Sequence, residues 1–72
     1  MSASVEAVQA AFASGDRETL RLLLHPYLHW TDAAGVTVRG RTNVLALLDG
    51  LQDLPAARSI ELRDGQVYRW SA

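Results

Sequence analysis

Three side chains of this sequence could do acid–base chemistry near neutral pH. His29 is the natural general acid or base, because imidazole is the side chain whose charge changes in that range. Tyr68 and Asp32 are the candidates to assist it. Residues three apart on an extended strand point to opposite faces, so His29 and Asp32 could cooperate only if the strand ended or bulged between them. An enzymatic interpretation therefore depends on His29, with Asp32 and Tyr68 as its partners.

A structural interpretation of the candidate acid–base residues is favoured by their context. Asp32 opens the segment Asp-Ala-Ala-Gly, and aspartate commonly begins a turn of this kind. His29 fits a surface or interface position on a strand. His25 precedes Pro26 at a predicted helix end, where it would contact the terminal carbonyls. We therefore predict no catalytic residue and lean towards a protein that is not an enzyme.

The candidate ligand-binding residues are Trp30, Tyr68, Trp70 and Arg41. The three aromatic rings could wall a pocket for a flat ligand. Arg41 follows Gly40 at the start of a predicted helix and could bind an anion there. The alternatives are a core or subunit interface for the aromatics, and a solvated position or an ion pair for the arginine. For the aromatics the structural role is favoured, because a small core needs them more.

The length and the cysteine count limit how the chain can be stabilised. Its 72 residues support a single domain, residues 1–72, with a marginal core of its own. The absence of cysteine excludes disulfides and thiolate zinc sites, and two histidines are too few for a convincing metal site. We therefore expect no metal and no cofactor. A partner subunit is the remaining support, and we predict a homodimer that forms through the sheet.

The charge pattern argues against nucleic acid and membranes as partners. The net charge is −1, and the seven basic residues, all arginine, are spread along the chain rather than clustered. No apolar run approaches the length of a membrane helix. The start of the sequence, MSASVEAV, lacks the charged and apolar regions of a signal peptide. We expect a soluble, cytoplasmic protein.

The spacing of apolar residues, caps and turn residues predicts three helices and four strands that would position these side chains. Ser4 caps the first helix, Gly15 ends it, and Asp16 caps the second, which must stop before Pro26. In chain order the predicted elements are a helix over 4–14, a helix from 16 to near 25, strands over 28–31 and 36–39, a helix from 40–42 to between 50 and 54, and strands over 58–63 and 66–70.

Two registers are open for the last two strands, which flank the turn signal Asp64-Gly65. A two-residue turn pairs Leu62 with Val67. A three-residue turn pairs Leu62 with Gln66 and separates apolar from charged residues more cleanly, so we predict that register. It places Ile60, Leu62, Tyr68 and Trp70 on one face and Glu61, Arg63, Val67 and Arg69 on the other.

The order of these elements and several short motifs resemble nuclear transport factor 2-like proteins, and the polyketide-cyclase-like and ketosteroid-isomerase-like branches are the most similar. The residues that carry the resemblance are the Gly15-Asp16 corner, Trp30-Thr-Asp32, Gly35, Arg39-Gly40-Arg41 and the ending ELRDGQVYRWSA. The resemblance implies an α+β fold: two N-terminal helices, a short strand pair, a third helix and a C-terminal β-hairpin. The curved mixed sheet would pack on the helices as a minimal form of the family's cone.

Two functions are compatible with this resemblance, because the family includes both enzymes and non-catalytic dimerisation or binding modules. The function we predict is a small dimerising module with a small apolar ligand or a partner protein as its occupant. The alternative is a minimal enzyme of the cyclase, isomerase or dehydratase type that uses His29. The chain has room for about four strands and lacks the long extra hairpin of the family, which favours the module.

Overall fold

The computed structural model of the chain describes residues 3–72. These residues form three helices and four strands, and the predicted α+β class and element order are confirmed. In chain order the elements are α1 (Val5–Ser14), α2 (Arg17–Leu23), β1 (Leu24–Thr31), β2 (Thr37–Arg39), α3 (Arg41–Asp49), β3 (Ser59–Arg63) and β4 (Gln66–Ser71).

Local capping fixes both ends of α1 and the start of α2. The Ser4 hydroxyl accepts a hydrogen bond from the Ala7 amide at 3.1 Å, which satisfies a free donor of the first turn. Gly15 ends α1 with φ of 70°, a left-handed conformation that glycine adopts at low cost. Asp16 caps α2 by accepting from the hydroxyl and the amide of Thr19, and these bonds hold the pKa of the Asp16 carboxyl below its usual value. Both predicted caps and the glycine corner are confirmed.

The strands form one mixed sheet in the order β2-β1-β4-β3. The central strands β1 and β4 run parallel, and each edge strand runs antiparallel to its neighbour. The helices cover one face of this sheet, because their buried side chains and those of the strands form one apolar cluster. The other face carries the polar side chains that are described below.

β1 begins four residues earlier than predicted, at Leu24 instead of Leu28. Leu24 is already extended, with φ of −99° and ψ of 133°, and Pro26 keeps His25 out of the α conformation, so the chain passes directly from α2 into β1. Leu24 pairs with Val67, and the ladder then resumes only at His29, which pairs with Arg69. Pro26, which has no amide hydrogen to donate, lies within this irregular stretch. The prediction that the second helix ends ahead of Pro26 is confirmed, and the predicted start of the first strand is wrong.

The predicted three-residue turn between β3 and β4 is also wrong. Asp64 and Gly65 form a two-residue turn, with φ of 56° and 76°, and Leu62 therefore pairs with Val67. A bulge at Tyr68 then shifts the register of the two strands. As a result Val67 is fully buried, and Tyr68 lies on the opposite face from the one we predicted.

Two stacked tryptophans fill the space between the sheet and the helices. The rings of Trp30 and Trp70 lie 4.8 Å apart at an angle of 8°. They pair across β1 and β4 and are flanked on the edge strands by Val38 and Ile60, so one apolar row crosses the whole sheet. The predicted burial of Trp70 is confirmed, since its exposed fraction is 0%.

Exchanging Gly40 for alanine is expected to destabilise the chain by about 1–3 kcal/mol. Gly40 joins β2 to α3 with φ of 91° and ψ of 134°, and this conformation is strained for any residue that has a side chain. Its amide also donates to the carbonyl oxygen of Leu28 at 2.8 Å, which holds this backbone in place. Urea unfolding followed by circular dichroism measures the change in the free energy of unfolding.

The Gly50→Ala variant is the matched control for Gly40. Gly50 ends α3 with φ of −89°, where alanine is not strained, and an added Cβ would lie 3.6 Å from the carbonyl oxygen of Leu47. We expect this variant to be neutral or to gain up to about 1 kcal/mol. If both substitutions had the same effect, the backbone at Gly40 would not require glycine.

Candidate functional site on the outer face of the sheet

The face of the sheet that points away from the helices carries two rows of aligned polar residues, and we call it the outer face. Each row contains one residue from every strand, because the cross-strand partners of His29 and of Thr31 continue across all four strands. The charged row is Arg39, His29, Arg69 and Glu61, and the hydroxyl row is Thr37, Thr31, Ser71 and Ser59.

Little of the charge in the charged row is neutralised within the chain. The Arg69 Nε and the Glu61 Oε2 lie 3.8 Å apart, and their side chains remain 58% and 54% exposed. Arg39 is exposed and makes no ion pair with any of the residues 3–72. Exposed pairs of this kind contribute little to the stability of a single chain. The row therefore ends in an arginine at one edge of the sheet and in a glutamate at the other.

Tyr68 lies beside the charged row at the centre of an aromatic and basic cluster. The guanidinium carbon of Arg63 lies 4.2 Å from the centre of the Tyr68 ring, a favourable distance for a cation–π contact. The His29 ring lies 5.5 Å from the Tyr68 ring, and the His25 ring approaches it edge-on at 5.2 Å. The bulge in β4 produces this cluster, because it turns Tyr68 towards the outer face.

His25 has a different role from the one we predicted. Its Nδ1 accepts a hydrogen bond from the amide of Tyr27 at 3.0 Å, and its Nε2 lies 3.9 Å from a carboxylate oxygen of Asp64. The predicted contact with helix-terminal carbonyls is therefore wrong. His25 is buried, with an exposed fraction of 9%, and its hydrogen bond stabilises the irregular start of β1.

Asp32 is occupied by the turn between β1 and β2. One carboxylate oxygen accepts from the amides of Ala34 at 2.9 Å and Val36 at 3.0 Å, so the turn interpretation is confirmed. His29 is half-buried in the middle of the outer face, beside Tyr68. The two residues thus lie in different surroundings, and Asp32 is not placed to orient or activate His29 for proton transfer.

The structure does not gather the four candidate ligand-binding residues into one site. Trp30 and Trp70 lie in the core, and Tyr68 lies on the other side of the sheet. Arg41 donates to the carbonyl oxygens of Arg21 at 3.2 Å and Leu24 at 3.5 Å, which ties α3 to the end of α2. Of the four, Tyr68 alone has an exposed surface next to other polar side chains on the outer face.

Two depressions lie among the helices, and both are open to solvent. The first, of about 240 Å³, is lined by Phe12, Leu20 and leucines of α3, with the Arg17–Asp49 ion pair at its rim. The second, of about 430 Å³, is lined by Gln9, Phe12 and Ala13 of α1 and by residues 52–54, which follow α3. None of Trp30, Tyr68 and Trp70 lines either depression.

The described part of the chain contains neither a cluster of metal-ligating side chains nor a membrane-spanning helix. Within residues 3–72, His, Asp and Glu side chains form no group of three that could hold a metal ion. None of the helices in that range is both long and apolar enough to cross a membrane.

Sequence reasoning identified His29 and Tyr68 but missed the arginines and the glutamate beside them. Arg39 lies opposite His29 because the loop spans residues 32–36 and Thr31 pairs with Thr37, whereas the predicted turn over 32–35 would pair His29 with Val38. Arg69 and Glu61 required the register of the parallel pair and the position of the bulge. Neither of these is encoded in a short motif.

Comparisons with known proteins establish the fold. No model of a known protein family matches the sequence, and no curated protein matches it. A solved structure that the chain resembles is that of an NTF-2-like protein of unknown function from Burkholderia xenovorans LB400, with a TM-score of 0.72 and 19% sequence identity. The match covers 92% of this chain and 75% of that chain. The likeness confirms the NTF2-like fold that the sequence predicted, and at this identity it shows the fold alone.

Proposed function

We propose that the chain is a non-catalytic module that forms a homodimer through the outer face of its sheet. The observation that carries this proposal is the contrast between the two faces. The inner face is covered by helices and filled by the Trp30–Trp70 stack, whereas the described residues leave the outer face open. A sheet in a small domain gains stability when a second layer covers its open face, and a second copy of the chain supplies such a layer.

The composition of the outer face supports association. Tyrosine and arginine are enriched at protein interfaces, and Tyr68, Arg39, Arg63 and Arg69 all lie on this face. The small residues of the hydroxyl row would let a second sheet approach closely. The face also carries both signs of charge, as a surface that contacts its own copy requires.

The alternative enzymatic function has weaker support. Its strongest observation is the contact between the His29 and Tyr68 rings, 5.5 Å apart. An acid–base site of the proposed type would also need an acid beside His29, and Asp32 is held by its own turn. The stacked tryptophans occupy the space between sheet and helices where a substrate of the cyclase or isomerase type would be enclosed.

A small apolar ligand is a subordinate part of the proposal. The first open depression, of about 240 Å³, is below the common range for ligand pockets, about 300–1,000 Å³. The second, of about 430 Å³, lies within that range, but Gln9, Gln52 and Asp53 form half of its lining. The cytoplasmic location also stays a prediction.

Sedimentation equilibrium of the chain and of a Thr31→Glu variant tests the homodimer. We expect the parent chain to be dimeric at micromolar concentration. Thr31 lies in an inner position of the hydroxyl row, so a glutamate there would place a large charged side chain within the interface and would weaken the dimer at least about tenfold. Far-UV circular dichroism of the variant should match the parent, because the position is at the surface of the fold.

The Thr42→Glu variant is the control for Thr31→Glu. Thr42 is exposed in the first turn of α3, where a negative charge suits the helix dipole. We expect this variant to remain dimeric. A parent chain that stays monomeric over the whole micromolar range, or an equal weakening by both substitutions, would contradict the proposal.

A further inference from the structure

We infer that the two copies meet with their two-fold axis parallel to the strands, between β1 and β4, so that Arg39 of each chain faces the partner's Glu61. This inference rests on the proposed homodimer and specifies its geometry. It follows from the order of charges in the charged row, which runs from arginine on β2 to glutamate on β3.

The charged row has unlike charges at its two ends, and this asymmetry favours one relative orientation of the two copies. Neighbouring strands lie about 4.8 Å apart, so three spacings put Arg39 and Glu61 about 14 Å from each other on one sheet. A two-fold axis along the strands reverses the lateral order of the facing sheet. β2 then lies over the partner's β3, and the two unlike charges meet at both edges of the interface.

The hydroxyl row is compatible with the same axis. Under this symmetry Thr37 faces the partner's Ser59, and Thr31 faces the partner's Ser71. Threonine and serine are small and can exchange hydrogen bonds, as Thr31 and Thr37 already do at 2.9 Å within one chain. Small side chains in this row let the two sheets approach, so that the long side chains of the neighbouring row can reach across.

The other symmetric arrangements bring like charges together or leave the ends of the row unmatched. A two-fold axis across the strands keeps the lateral order, so Arg39 would face the partner's Arg39 and Glu61 would face the partner's Glu61. Like charges placed opposite each other oppose association. In an orthogonal packing of the sheets the two rows cross and meet near one point, so their ends find no partner.

The state of Arg39 and Glu61 within one chain supports the pairing. Arg39 has no ion-pair partner among residues 3–72, and Glu61 has one long contact of 3.8 Å with Arg69. Both side chains are exposed at opposite edges of the sheet. Pairing across the interface would neutralise the charge that the fold leaves free at each edge.

Charge reversal tests the energetic side of the inference. We expect Arg39→Glu and Glu61→Arg each to weaken the homodimer about tenfold or more, because each reverses two contacts of the interface. An equimolar mixture of the two variants should form a heterodimer with affinity close to that of the parent, since both contacts are then attractive again. For an axis across the strands, Arg39→Glu would exchange one like pair for another and leave the homodimer unchanged.

Cross-linking tests the geometry directly, because the natural chain contains no cysteine. Chains that carry Thr37→Cys are mixed with chains that carry Ser59→Cys and treated with a bismaleimide that spans about 10 Å, the usual separation of packed sheets. We expect cross-links between unlike chains and few between like chains. Unfolded chains in denaturant provide the background level.

The outcomes separate this inference from the proposed function. A sedimenting dimer with cross-links mainly between two Thr37→Cys chains would overturn the inference and leave the homodimer standing. A dimer whose affinity is unaffected by either charge reversal would also overturn it. A parent chain without any dimer would remove the proposed function and the inference together.

Discussion

Replacing Trp70 with alanine is expected to lower the free energy of unfolding by roughly 3–5 kcal/mol. Trp70 is fully buried, stacks on Trp30 at 4.8 Å and pairs with Ile60 on the neighbouring strand. Its removal leaves a cavity in the layer between sheet and helices and ends the aromatic stack, which itself contributes about 0.5–1.5 kcal/mol. A small domain has little stability in reserve, so we expect this variant to be largely unfolded at 25 °C.

If Trp70→Ala does not fold, a more conservative variant, Trp70→Phe, and a control variant, Leu22→Ala, still test the contribution of Trp70 to the free energy of unfolding. Trp70→Phe retains a ring, and the Trp70 Nε1 has no hydrogen-bond acceptor among the described residues, so this exchange removes no such bond. We expect a smaller, measurable loss in urea unfolding. Leu22→Ala truncates an apolar side chain that is 55% exposed and should change the stability by less than about 0.5 kcal/mol. A Trp70→Ala variant as stable as Leu22→Ala would contradict the central role of the stack.

The helical half of the fold could be predicted from the sequence because its signals are local. Ser4, Gly15 and Asp16 act within a few residues of themselves, through a hydroxyl, a left-handed backbone and a carboxylate. Alternation along β1 likewise predicts that Leu28 and Trp30 share one face, and the structure shows that this face is the buried one. Each of these features depends on neighbours in sequence, so no knowledge of the sheet was needed.

The register of β4 could not be predicted in the same way. Val67 and Trp70 are three residues apart, and a regular strand would point them to opposite faces. The bulge at Tyr68 inserts one residue, so that both side chains reach the core while Tyr68 and Arg69 lie outside. The three-residue spacing was a visible sign of a bulge. The predicted register separates polar from apolar residues by a three-residue turn and has no bulge at Tyr68.

The candidate site was predictable only for the residues with distinctive chemistry. His29 and Tyr68 were identified by residue type, and their approach on one face depends on the bulge. The charged row is a property of long-range pairing: Arg39 and Glu61 are on opposite edge strands and have no relation in sequence. A pattern of this kind becomes visible once all three strand pairings are known.

Replacing Val67 with aspartate is expected to cost roughly 3–5 kcal/mol, the usual effect of an uncompensated buried charge. Val67 is fully buried and pairs with Leu24 in the parallel pair, so a carboxylate there would lie in the apolar core. At the adjacent position, Tyr68→Asp would place its carboxylate between Arg63 and Arg69, whose guanidinium carbons lie 4.2 and 5.8 Å from the present ring. We expect this second variant to lose no more than about 1–2 kcal/mol.

The comparison of these two neighbours decides the register of the hairpin, because the three-residue turn predicts the opposite order of effects. In that register Tyr68 would face the core and Val67 would lie among Glu61 and the arginines. Both variants are best measured in the Thr31→Glu background, so that dimerisation does not contribute to the free energy of unfolding. A larger loss for Tyr68→Asp than for Val67→Asp would show that the bulge is absent. Tyr68 would then not lie on the outer face, and Glu61 would not pair with Arg69 in the charged row.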